Sequence, residues 1–585
     1  MNSIGRVISV SYDRLIFEVS DFEKLIYNFD GDLYIARGVI DYVIIKNRFN
    51  EKFVYQVTRI EDKEIPLSKY DESSKFEYQG KFECVPIGII LNKRIKFNMK
   101  YYPFLQDRVY LASKDEMDII FSSQQLSSSI NLGTIHDIYP ACIDLNNLLS
   151  HHSAILGNTG SGKSTTIRQI ISEINKKNTS NLHLHIFDIH DKYKNKNDKT
   201  QTINISTEYK IKISDLNLQD WLNLIKPSEL VQLPIFQIAL KIGNILYKKK
   251  IKEAALKCYL AHTLYYTVQN EAVAKRAKIL GLLHSLPQFS NILKNYTEYG
   301  NFKSDNEKVF IDNLLEIIKG SIDTKKTEKT EMIEQNQIKS LFESSLQCKI
   351  EKADYCVNSF ENLLKGLEYA FLLEESKGNS QARSYCGTLE TRIKNIEVRY
   401  SSILGDTAFD YEKNKSVFVY SISELEDDLL LFFTSYLLKR EFSNNQTKEL
   451  SKRNINIFIL EEAHRYISRE ENNIFHESQI YKKIAREGRK FGCFLILSSQ
   501  RPSELSPTVL SQCNNYIIHR IKNNIDLDYM LKTIPYIDKN QLSRLSYLPT
   551  GVAFIVGELF QIPVEINVVD YENQDISATP KIKFD

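Results

Sequence analysis

Hydrophobic and polar positions alternate over short distances in the first part of the chain. Runs rich in β-forming residues, separated by turn signals, occur at Arg6 to Val10, Leu15 to Val19, Leu33 to Ile35, Tyr42 to Ile45, Phe53 to Val57 and Gly88 to Leu91. Several short strands at this spacing are typical of a small β-barrel. The pattern predicts an N-terminal β-barrel domain over residues 1–125.

From about Asp137 the pattern changes to buried strands separated by helical segments. Candidate strands lie at Leu182 to Asp188, Val417 to Ser421, Ile455 to Leu460, Cys493 to Ser498, Tyr516 to Ile518 and Val552 to Val556. Apolar strands that alternate with helices predict a doubly wound α/β domain. We assign this domain to two separate parts of the chain, residues 126–213 and 403–570.

Helical periodicity dominates between these two parts. Residues 214–402 carry few strand signals, and the piece from Lys319 to Ser340 is polar and dense in charge. Because that piece has few residues able to form a core, it favours a flexible loop. The sequence therefore predicts an inserted helical subdomain at 214–402, and the polar end of the chain predicts an extended tail at 571–585.

The composition is that of a soluble globular protein, with 585 residues, 42% hydrophobic and 26% charged, and the length predicts two to four domains. The N-terminus lacks a basic segment followed by an apolar one, and no apolar run approaches the ~20 residues that span a bilayer. We expect a cytoplasmic protein. Eight cysteines without a CxxC pair favour reduced thiols over a zinc site or a disulfide framework. The net charge of +2 is almost neutral. If the protein binds nucleic acid, its basic residues must therefore be concentrated on one surface, such as a channel lining.

One segment fits the pattern GxxxxGK[ST], follows the apolar run Ser153 to Leu156, and opens an apolar-periodic segment. It consists of Gly157, Asn158, Thr159, Gly160, Ser161, Gly162, Lys163 and Ser164. Glycines allow successive backbone N–H groups to point at phosphate oxygens, Lys163 can reach the β- and γ-phosphates, and the Ser164 hydroxyl can join a Mg²⁺ shell. The segment, together with Thr165, predicts a nucleotide-binding site.

Hydrolysis also needs acidic groups, and Glu461 and Glu462 follow the apolar run Ile455 to Leu460. At the end of a buried strand of the same sheet, the first carboxylate can reach the metal shell and the second can act as general base. The alternative is a pair of exposed acids at a helix start. Gln500, just after the next strand, can hydrogen-bond both γ-phosphate and water and so report the nucleotide state, although a glutamine in a surface loop fits the same pattern.

Asp188 ends another predicted strand and places a carboxylate at the carboxyl edge of the sheet, where ligands collect in open α/β folds. It can support the water shell of the metal. His190, two residues later, is a candidate metal ligand or base, but a lone histidine near a loop is more often a structural residue. The same reading applies to His151 and His152.

Arg486, Arg489 and Lys490 lie in a basic segment in which a spacing of three places the two arginines on one helical face. A charged helix face is usually just solvated. A ring ATPase, however, needs an arginine from a neighbouring subunit to stabilise phosphoryl charge, and Arg486, Arg489 and Arg501 share that candidacy.

The order of these motifs resembles a known family. The segments HHSAILGNTGSGKST, FDIHDKY, FILEEAHRYI, IAREGRKFG, SSQRPSELSPTVLSQCNN and IIHRI are similar to the HerA group of hexameric DNA-translocating ATPases, relatives of FtsK. The resemblance covers essentially the whole ATPase core, and the N-terminal GRVISVSYDRLIFEV is similar to the family's barrel domain. It implies a RecA-like P-loop core, a homohexameric ring with ATP and Mg²⁺ between subunits, and duplex DNA through the centre. The family's Walker A lysine corresponds to Lys163, its hydroxyl ligand to Ser164, its catalytic glutamate to Glu462 and its sensor glutamine to Gln500.

Three positions depart from the family pattern. Glu461 stands where the family usually has aspartate, His151 stands where an arginine is common, and Lys192 replaces the acid before Tyr193. Because of the second departure, His151 is a weaker candidate for the cation that acts on a neighbouring subunit. Arg486 and Arg489 become the stronger candidates for that role. The third reverses the charge at that position of the loop.

The resemblance implies a partner protein as well, a nuclease in DNA end processing or a sirtuin-like or nuclease effector in antiviral defence, docked on the N-terminal barrel. The many Asn, Lys, Ile and Tyr residues are typical of an AT-rich bacterial or mobile-element gene and favour phage defence. The main alternative is a scaffold ring whose ATP cycle assembles and gates an effector with little movement on DNA. An ATPase of the conjugation and secretion type is a third reading, which requires a membrane-associated assembly.

Overall fold

The computed structural model describes residues 2–568 except 30–31, 37, 40, 63–79, 93, 97–98, 122–127, 138, 178, 180, 195–197, 267–271, 303, 323–334, 380, 413, 469–478, 536, 538 and 561–562. The strands are β1 (Gly5–Val10), β2 (Leu15–Val19), β3 (Ile26–Phe29), β4 (Asp32–Ile35), β5 (Tyr42–Lys46), β6 (Lys52–Asp62), β7 (Gly80–Leu91), β8 (Arg94–Lys96), β9 (Arg108–Leu111), β10 (Ser129–Ile135), β11 (Tyr139–Asp144), β12 (His152–Leu156), β13 (Leu182–Asp188), β14 (Thr200–Asn204), β15 (Ile211–Lys212), β16 (Leu404–Gly405), β17 (Val417–Ser421), β18 (Ile455–Leu460), β19 (Cys493–Ser499), β20 (Cys513–Ile518), β21 (Val552–Gly557) and β22 (Val564–Val568). The α-helices are α1 (Lys114–Phe121), α2 (Leu145–Leu149), α3 (Lys163–Lys176), α4 (Leu218–Ile225), α5 (Gln232–Tyr247), α6 (Glu253–Tyr266), α7 (Ala272–Leu283), α8 (Ser304–Lys319), α9 (Gln335–Glu351), α10 (Phe360–Ser376), α11 (Ala382–Arg399), α12 (Asp427–Thr447), α13 (Gln479–Glu487), α14 (Pro507–Leu510), α15 (Asn524–Thr533) and α16 (Lys539–Leu545).

The first part of the chain folds into a closed antiparallel barrel. Its strand order is β2-β1-β9-β5-β6-β7, and a further pairing of β2 with β7 closes the sheet, while β8 extends it from β7. In β2 the side chains of Leu15, Phe17 and Val19 point inward and are buried, as the period of two in a strand requires. The predicted N-terminal β-barrel is confirmed. The sequence pattern did not reveal β3, β8 or β9.

An eleven-stranded sheet forms the centre of the second part, in the order β11-β10-β22-β21-β20-β12-β19-β18-β13-β17-β14. The seven strands from β20 to β14 run parallel, and β21, β22, β10 and β11 add an antiparallel extension at one end. The predicted α/β class is therefore confirmed. The missed strands β10, β11, β14 and β22 lie outside the central buried group.

Helices cover both faces of this sheet, because successive side chains of a buried strand point to opposite sides. On one face, Ile155 of β12 belongs to the same buried cluster as Ile167 and Ile170 of α3. On the other face, Leu156 of β12 shares a cluster with Phe433 of α12. This arrangement explains why the strands read as continuous apolar runs.

Helices α4 to α11 form an insertion whose two ends are held together by a short parallel pairing of β15 with β16. Within the insertion, α5 and α10 approach closely through glycine: a Cβ on Gly366 would overlap the carbonyl oxygen of Ala239. Part of the predicted flexible loop, residues 323–334, and the whole predicted tail lie outside the described residues.

Throughout the described ranges, no helix combines the length and the apolar character that a membrane crossing requires.

Candidate active site

The segment 157–164 forms a loop between β12 and α3, and its backbone requires glycine. Gly157, Gly160 and Gly162 have φ values of 153°, 70° and 124°, which side-chain-bearing residues rarely adopt. A Cβ on Gly157 would lie 2.7 Å from the Ser161 hydroxyl oxygen. Gly162 directly precedes α3, so the N–H groups of the first helical turn face the loop. Backbone N–H groups at a helix N-terminus form a site for anions such as phosphate.

Lys163, the first residue of α3, turns its side chain back across this loop. Its ammonium donates hydrogen bonds to the carbonyl oxygens of Gly157, at 2.7 Å, and Asn158, at 3.1 Å. Burial lowers the pKa of Lys163 to about 8, although the nearby Glu462 and Glu461 carboxylates oppose that shift. The remaining predicted loop residues differ in exposure: Ser161 is buried, Asn158, Ser164 and Thr165 are half-buried, and Thr159 and Gly160 are exposed.

Glu461 and Glu462 follow β18 directly, and both are buried, at 4% and 9% exposure. Oε1 of Glu461 accepts a hydrogen bond from the Tyr193 hydroxyl at 3.2 Å, and the Lys192 ammonium lies 3.7 Å from the same oxygen. Oε2 of Glu461 has no hydrogen-bond partner among the described residues. Because burial penalises the charged carboxylate, the pKa of Glu461 is raised to about 7. The alternative of two exposed acids at a helix start does not fit this burial.

Gln500 connects Glu462 to the phosphate-binding loop. Its amide nitrogen donates to Oε1 of Glu462, and its amide oxygen accepts from the Thr159 hydroxyl. Glu462 itself adopts a left-handed backbone conformation, with φ 48°, which turns the chain sharply after β18. The His464 ring nitrogen Nδ1 lies 3.5 Å from the other carboxylate oxygen of Glu462. One side-chain amide thus touches both the loop and the proposed base.

Asp188 ends β13 and is fully buried. Its carboxylate accepts hydrogen bonds from the backbone N–H groups of His190 at 3.2 Å, Lys192 at 3.1 Å and Tyr193 at 2.8 Å. These bonds fold residues 189–193 into a tight loop beside Glu461. The side chain is thus engaged by its own loop, and its predicted support of a metal water shell stays a prediction.

The three candidate arginines have no side-chain hydrogen bond or ion pair to the phosphate-binding loop or the two glutamates within the described part of the chain. Arg486, in the last turn of α13, and Arg489, just after that helix, are exposed, and neither has a hydrogen bond or ion pair to the phosphate-binding loop or the two glutamates within the described part of the chain. Arg501 is exposed and pairs with Glu504 at 2.7 Å. Within the described part of one chain, these arginines therefore do not pair with the loop.

His519 is a residue of the site that the sequence analysis did not assign. It directly follows β20, is fully buried, and its Nε2 lies 2.8 Å from the Thr166 hydroxyl while Nδ1 lies 3.0 Å from the carbonyl oxygen of Val552. A Cβ on Gly157 or Gly162 would come within 3.0 Å of the His519 side chain. The motif IIHRI marked the position, but only the pairing of β20 with β12 places this ring under the loop.

The residues present fit a magnesium ion. Mg²⁺ prefers oxygen ligands and keeps several waters, so it needs only one or two protein groups beside the phosphates of its nucleotide. Ser164 and Glu461 supply such oxygens. The Oε2 atom of Glu461 is buried, has no hydrogen-bond partner among the described residues, and is therefore available to bind the ion. In the same described ranges, no group of three or more His, Cys, Asp or Glu side chains is arranged to hold a metal by itself.

Known proteins are similar to this sequence over different lengths. Residues 130–333 match the family described as the central domain of the helicase HerA. A probable helicase of Methanocaldococcus jannaschii is 26% identical over 581 residues, which cover 95% of this chain and 94% of that protein. The DNA double-strand break repair helicase HerA of Saccharolobus solfataricus is 31% identical over 214 residues, and the match spans 35% of this chain and 42% of that protein.

Among solved structures, VirB4 of Thermoanaerobacter pseudethanolicus aligns over 77% of this chain and 98% of its own, with a TM-score of 0.41 and 14% identity. The HerA match at residues 130–333 includes the whole phosphate-binding loop, and the site adds two buried glutamates and a bridging glutamine. Residues 130–333 therefore match a HerA-type helicase central domain, and the chain is an ATP-hydrolysing enzyme.

Proposed function

We propose that this chain is an ATP-driven DNA translocase that works as a homohexameric ring around duplex DNA. The observation that supports it most is the Gln500 amide, which contacts both Glu462 and Thr159 of the phosphate-binding loop. A motor must convert the presence or loss of the γ-phosphate into movement of the chain. A side chain that touches both the proposed base and the loop is suited to that task.

In the proposed reaction, the loop N–H groups and Lys163 bind the phosphates of ATP. Ser164 and Glu461 would hold Mg²⁺, which would neutralise phosphate charge. Glu462 accepts a proton from the water that attacks the γ-phosphorus, and the bond from that phosphorus to the bridging oxygen of ADP breaks. The Glu462 carboxylate is suited to this step because its Oε2 lacks a hydrogen-bond donor among the described residues, with the His464 ring 3.5 Å away.

The charge that develops on the phosphate requires a cation from a neighbouring subunit. Arg486 and Arg489 are exposed in a basic segment and have no partner at their own chain's loop, as residues serving the next subunit of a ring would. Arg501 is a weaker candidate because its guanidinium already pairs with Glu504. We therefore propose Arg486 or Arg489 as the trans-acting residue.

The experiment that tests this function is steady-state ATP hydrolysis by the purified protein, alone and with duplex DNA, at several salt concentrations. A DNA motor is expected to hydrolyse ATP faster with DNA, and the stimulation should fall steeply with salt because contacts to phosphates release counterions. Glu462→Gln is expected to bind ATP and to lose hydrolysis by about a hundredfold or more.

Activity that does not respond to DNA at any salt concentration would exclude the motor. It would favour instead a scaffold ring that assembles and gates an effector. Sedimentation with and without ATP tests the ring itself, and a species of six chains is the expected result. A monomer in both conditions would contradict a neighbour-supplied arginine.

We also propose that a partner nuclease or other defence effector docks on the N-terminal barrel. The exposed aromatic side chains of Tyr12, Phe49 and Phe104, at 84%, 82% and 72% exposure, support that surface, because aromatic residues are enriched at protein interfaces. Co-expression with proteins encoded by adjacent genes tests it. A complex that persists unchanged with Phe49→Ser and Phe104→Ser would place the partner elsewhere.

A further inference from the structure

The loop at 189–193 is held rigidly beside the metal side of the site. Asp188 fixes three of its backbone N–H groups at 2.8 to 3.2 Å. From the other side, the Asp191 carboxylate accepts hydrogen bonds from the hydroxyls of Ser421, at the end of β17, and Ser423, at 2.9 Å for the latter. Two strands therefore determine where the side chains of Lys192 and Tyr193 lie.

Tyr193 extends from this loop into the interior, and 3% of it is exposed. Its hydroxyl donates to Oε1 of Glu461 at 3.2 Å and is also in hydrogen-bond contact with the side chain of Ser164. Ser164 and Glu461 are the two groups that fit a metal ion, and they come from different elements, α3 and the end of β18. One phenol oxygen thus joins both.

Such a contact restrains the side chain of a glutamate. Its side chain has one more rotatable bond than that of an aspartate, so its carboxylate loses more freedom when it is fixed at a metal. With Oε1 held by Tyr193, the buried Oε2 of Glu461 is the oxygen left without a partner among the described residues. The hydrogen bond therefore selects which carboxylate oxygen is free for a ligand.

We propose that Tyr193 is a positioning residue that presents Glu461 and Ser164 together to the Mg²⁺ of the bound nucleotide. The inference rests on the proposed ATPase function of the same site. Residues that hydrogen-bond metal ligands commonly change metal affinity by 10- to 100-fold when they are removed. Tyr193 acts through the two ligands and does not touch the reacting atoms.

The test compares Tyr193→Phe with Tyr466→Phe in the full-length protein. Tyr466 is a matched control because it is also buried, lies four residues beyond Glu462, and its hydroxyl has no hydrogen-bond partner among the described residues. Binding of a fluorescent ATP analogue is measured in EDTA and over a series of Mg²⁺ concentrations. The dissociation constant in EDTA divided by that at saturating Mg²⁺ is the Mg²⁺ gain. This ratio reports how much the metal strengthens binding, and it does not require turnover.

Tyr193→Phe is expected to leave the affinity in EDTA within about twofold of wild type and to reduce the Mg²⁺ gain about tenfold. Tyr466→Phe is expected to change neither quantity. The inference is overturned if Tyr193→Phe leaves the Mg²⁺ gain unchanged. It is also overturned if Tyr193→Phe weakens binding in EDTA as much as it weakens binding in Mg²⁺. Should wild type itself fail to bind the analogue, the proposed function fails, which is a different outcome.

A double-mutant cycle with Glu461→Asp tests whether the effect of Tyr193→Phe passes through Glu461. Glu461→Asp draws the carboxylate back by one methylene and is expected to break the 3.2 Å contact with the Tyr193 hydroxyl. The Mg²⁺ gain of Glu461→Asp is then expected to change by less than twofold when Tyr193→Phe is added. An undiminished effect of Tyr193→Phe in this background would show that the hydroxyl acts elsewhere.

Discussion

Lys163 and Lys192 carry positive charge into the site from two different surroundings. The Lys163 ammonium is enclosed by the phosphate-binding loop, and burial lowers its pKa to about 8. The Lys192 side chain is 34% exposed and lies 3.7 Å from Glu461. An ammonium near a metal ligand competes with the metal for the same carboxylate, and solvent weakens that competition without removing it.

Replacement of Lys192 by methionine is expected to lower the Mg²⁺ concentration that half-saturates ATP hydrolysis by about threefold, because an exposed ion pair contributes well under 1.4 kcal/mol. The measurement is a Mg²⁺ titration at saturating ATP. Lys194→Met is the control, since Lys194 pairs with Asp191 at 3.2 Å and has no ion pair to Glu461 in the described residues. A higher Mg²⁺ requirement in Lys192→Met would show that the ammonium serves the nucleotide instead.

At the same scale, the motifs predicted which polar side chains follow the buried strands but not what those side chains touch. Glu461, Glu462 and Gln500 follow apolar strands, so their positions at the sheet edge were readable from the sequence. The partners of Asp188 were not readable, because its carboxylate is consumed by three N–H groups of the turn that follows it. A turn of this kind depends on backbone angles that the pattern of residue types does not encode.

At the scale of elements, β20 and the turn before β21 hold the phosphate-binding loop from behind. The N–H of Asn158 donates to the carbonyl oxygen of Arg520 at 2.9 Å, and that of Gly551 donates to the carbonyl oxygen of Ser161 at 3.0 Å. With the buried His519 ring between them, these bonds fix the loop to the sheet. The loop shape is therefore a property of three neighbouring elements as well as of its own glycines.

Gly366→Ala is expected to destabilise the insertion by about 1–3 kcal/mol, because the added methyl group would overlap the Ala239 carbonyl oxygen of α5. Gly387→Ala is the matched control, since a Cβ on that glycine of α11 meets no atom within 4 Å. Alanine there is expected to be neutral or to stabilise by up to about 1 kcal/mol. Thermal unfolding of both variants decides the matter, and equal midpoints would contradict the close packing of α5 on α10.

At the scale of the whole molecule, buried histidines make stability depend on pH. Burial lowers the pKa of four of them to about 4: His152, His185, His262 and His519. In the unfolded chain each titrates near 6.5, so between pH ~6.5 and 4 the unfolded state binds protons that the native state does not. The contribution of these four histidines to the free energy of unfolding is complete above pH ~6.5 and falls as the pH drops. Glu461, with its pKa of about 7, opposes the trend by one proton between about 4.5 and 7.

Denaturant unfolding near pH 5 is therefore expected to take up about three protons from these five groups. His262→Leu tests the count, because Nδ1 of His262 has no hydrogen-bond partner among the described residues and its removal leaves no donor unpaired there. This variant is expected to lose about one proton of uptake and to be more stable than wild type at pH 5. An identical pH dependence in both proteins would show that His262 is protonated in the native state.

The sequence by itself determined the kinds of elements and the chemistry they carry. Period-two alternation gave β2 its bounds, continuous apolar runs gave β13, β17 and β18 theirs, and the loop glycines with Lys163 and Ser164 defined a phosphate site. These features depend on neighbours along the chain, which a sequence displays directly.

Only the tertiary structure decided which elements meet. It placed β20 beside β12, and so put His519 under the phosphate-binding loop although the two are more than 350 residues apart. It likewise brought Tyr193 to Glu461 across 268 residues of sequence. Strand order results from the packing of both faces of the sheet at once, and no local pattern of residues records that outcome.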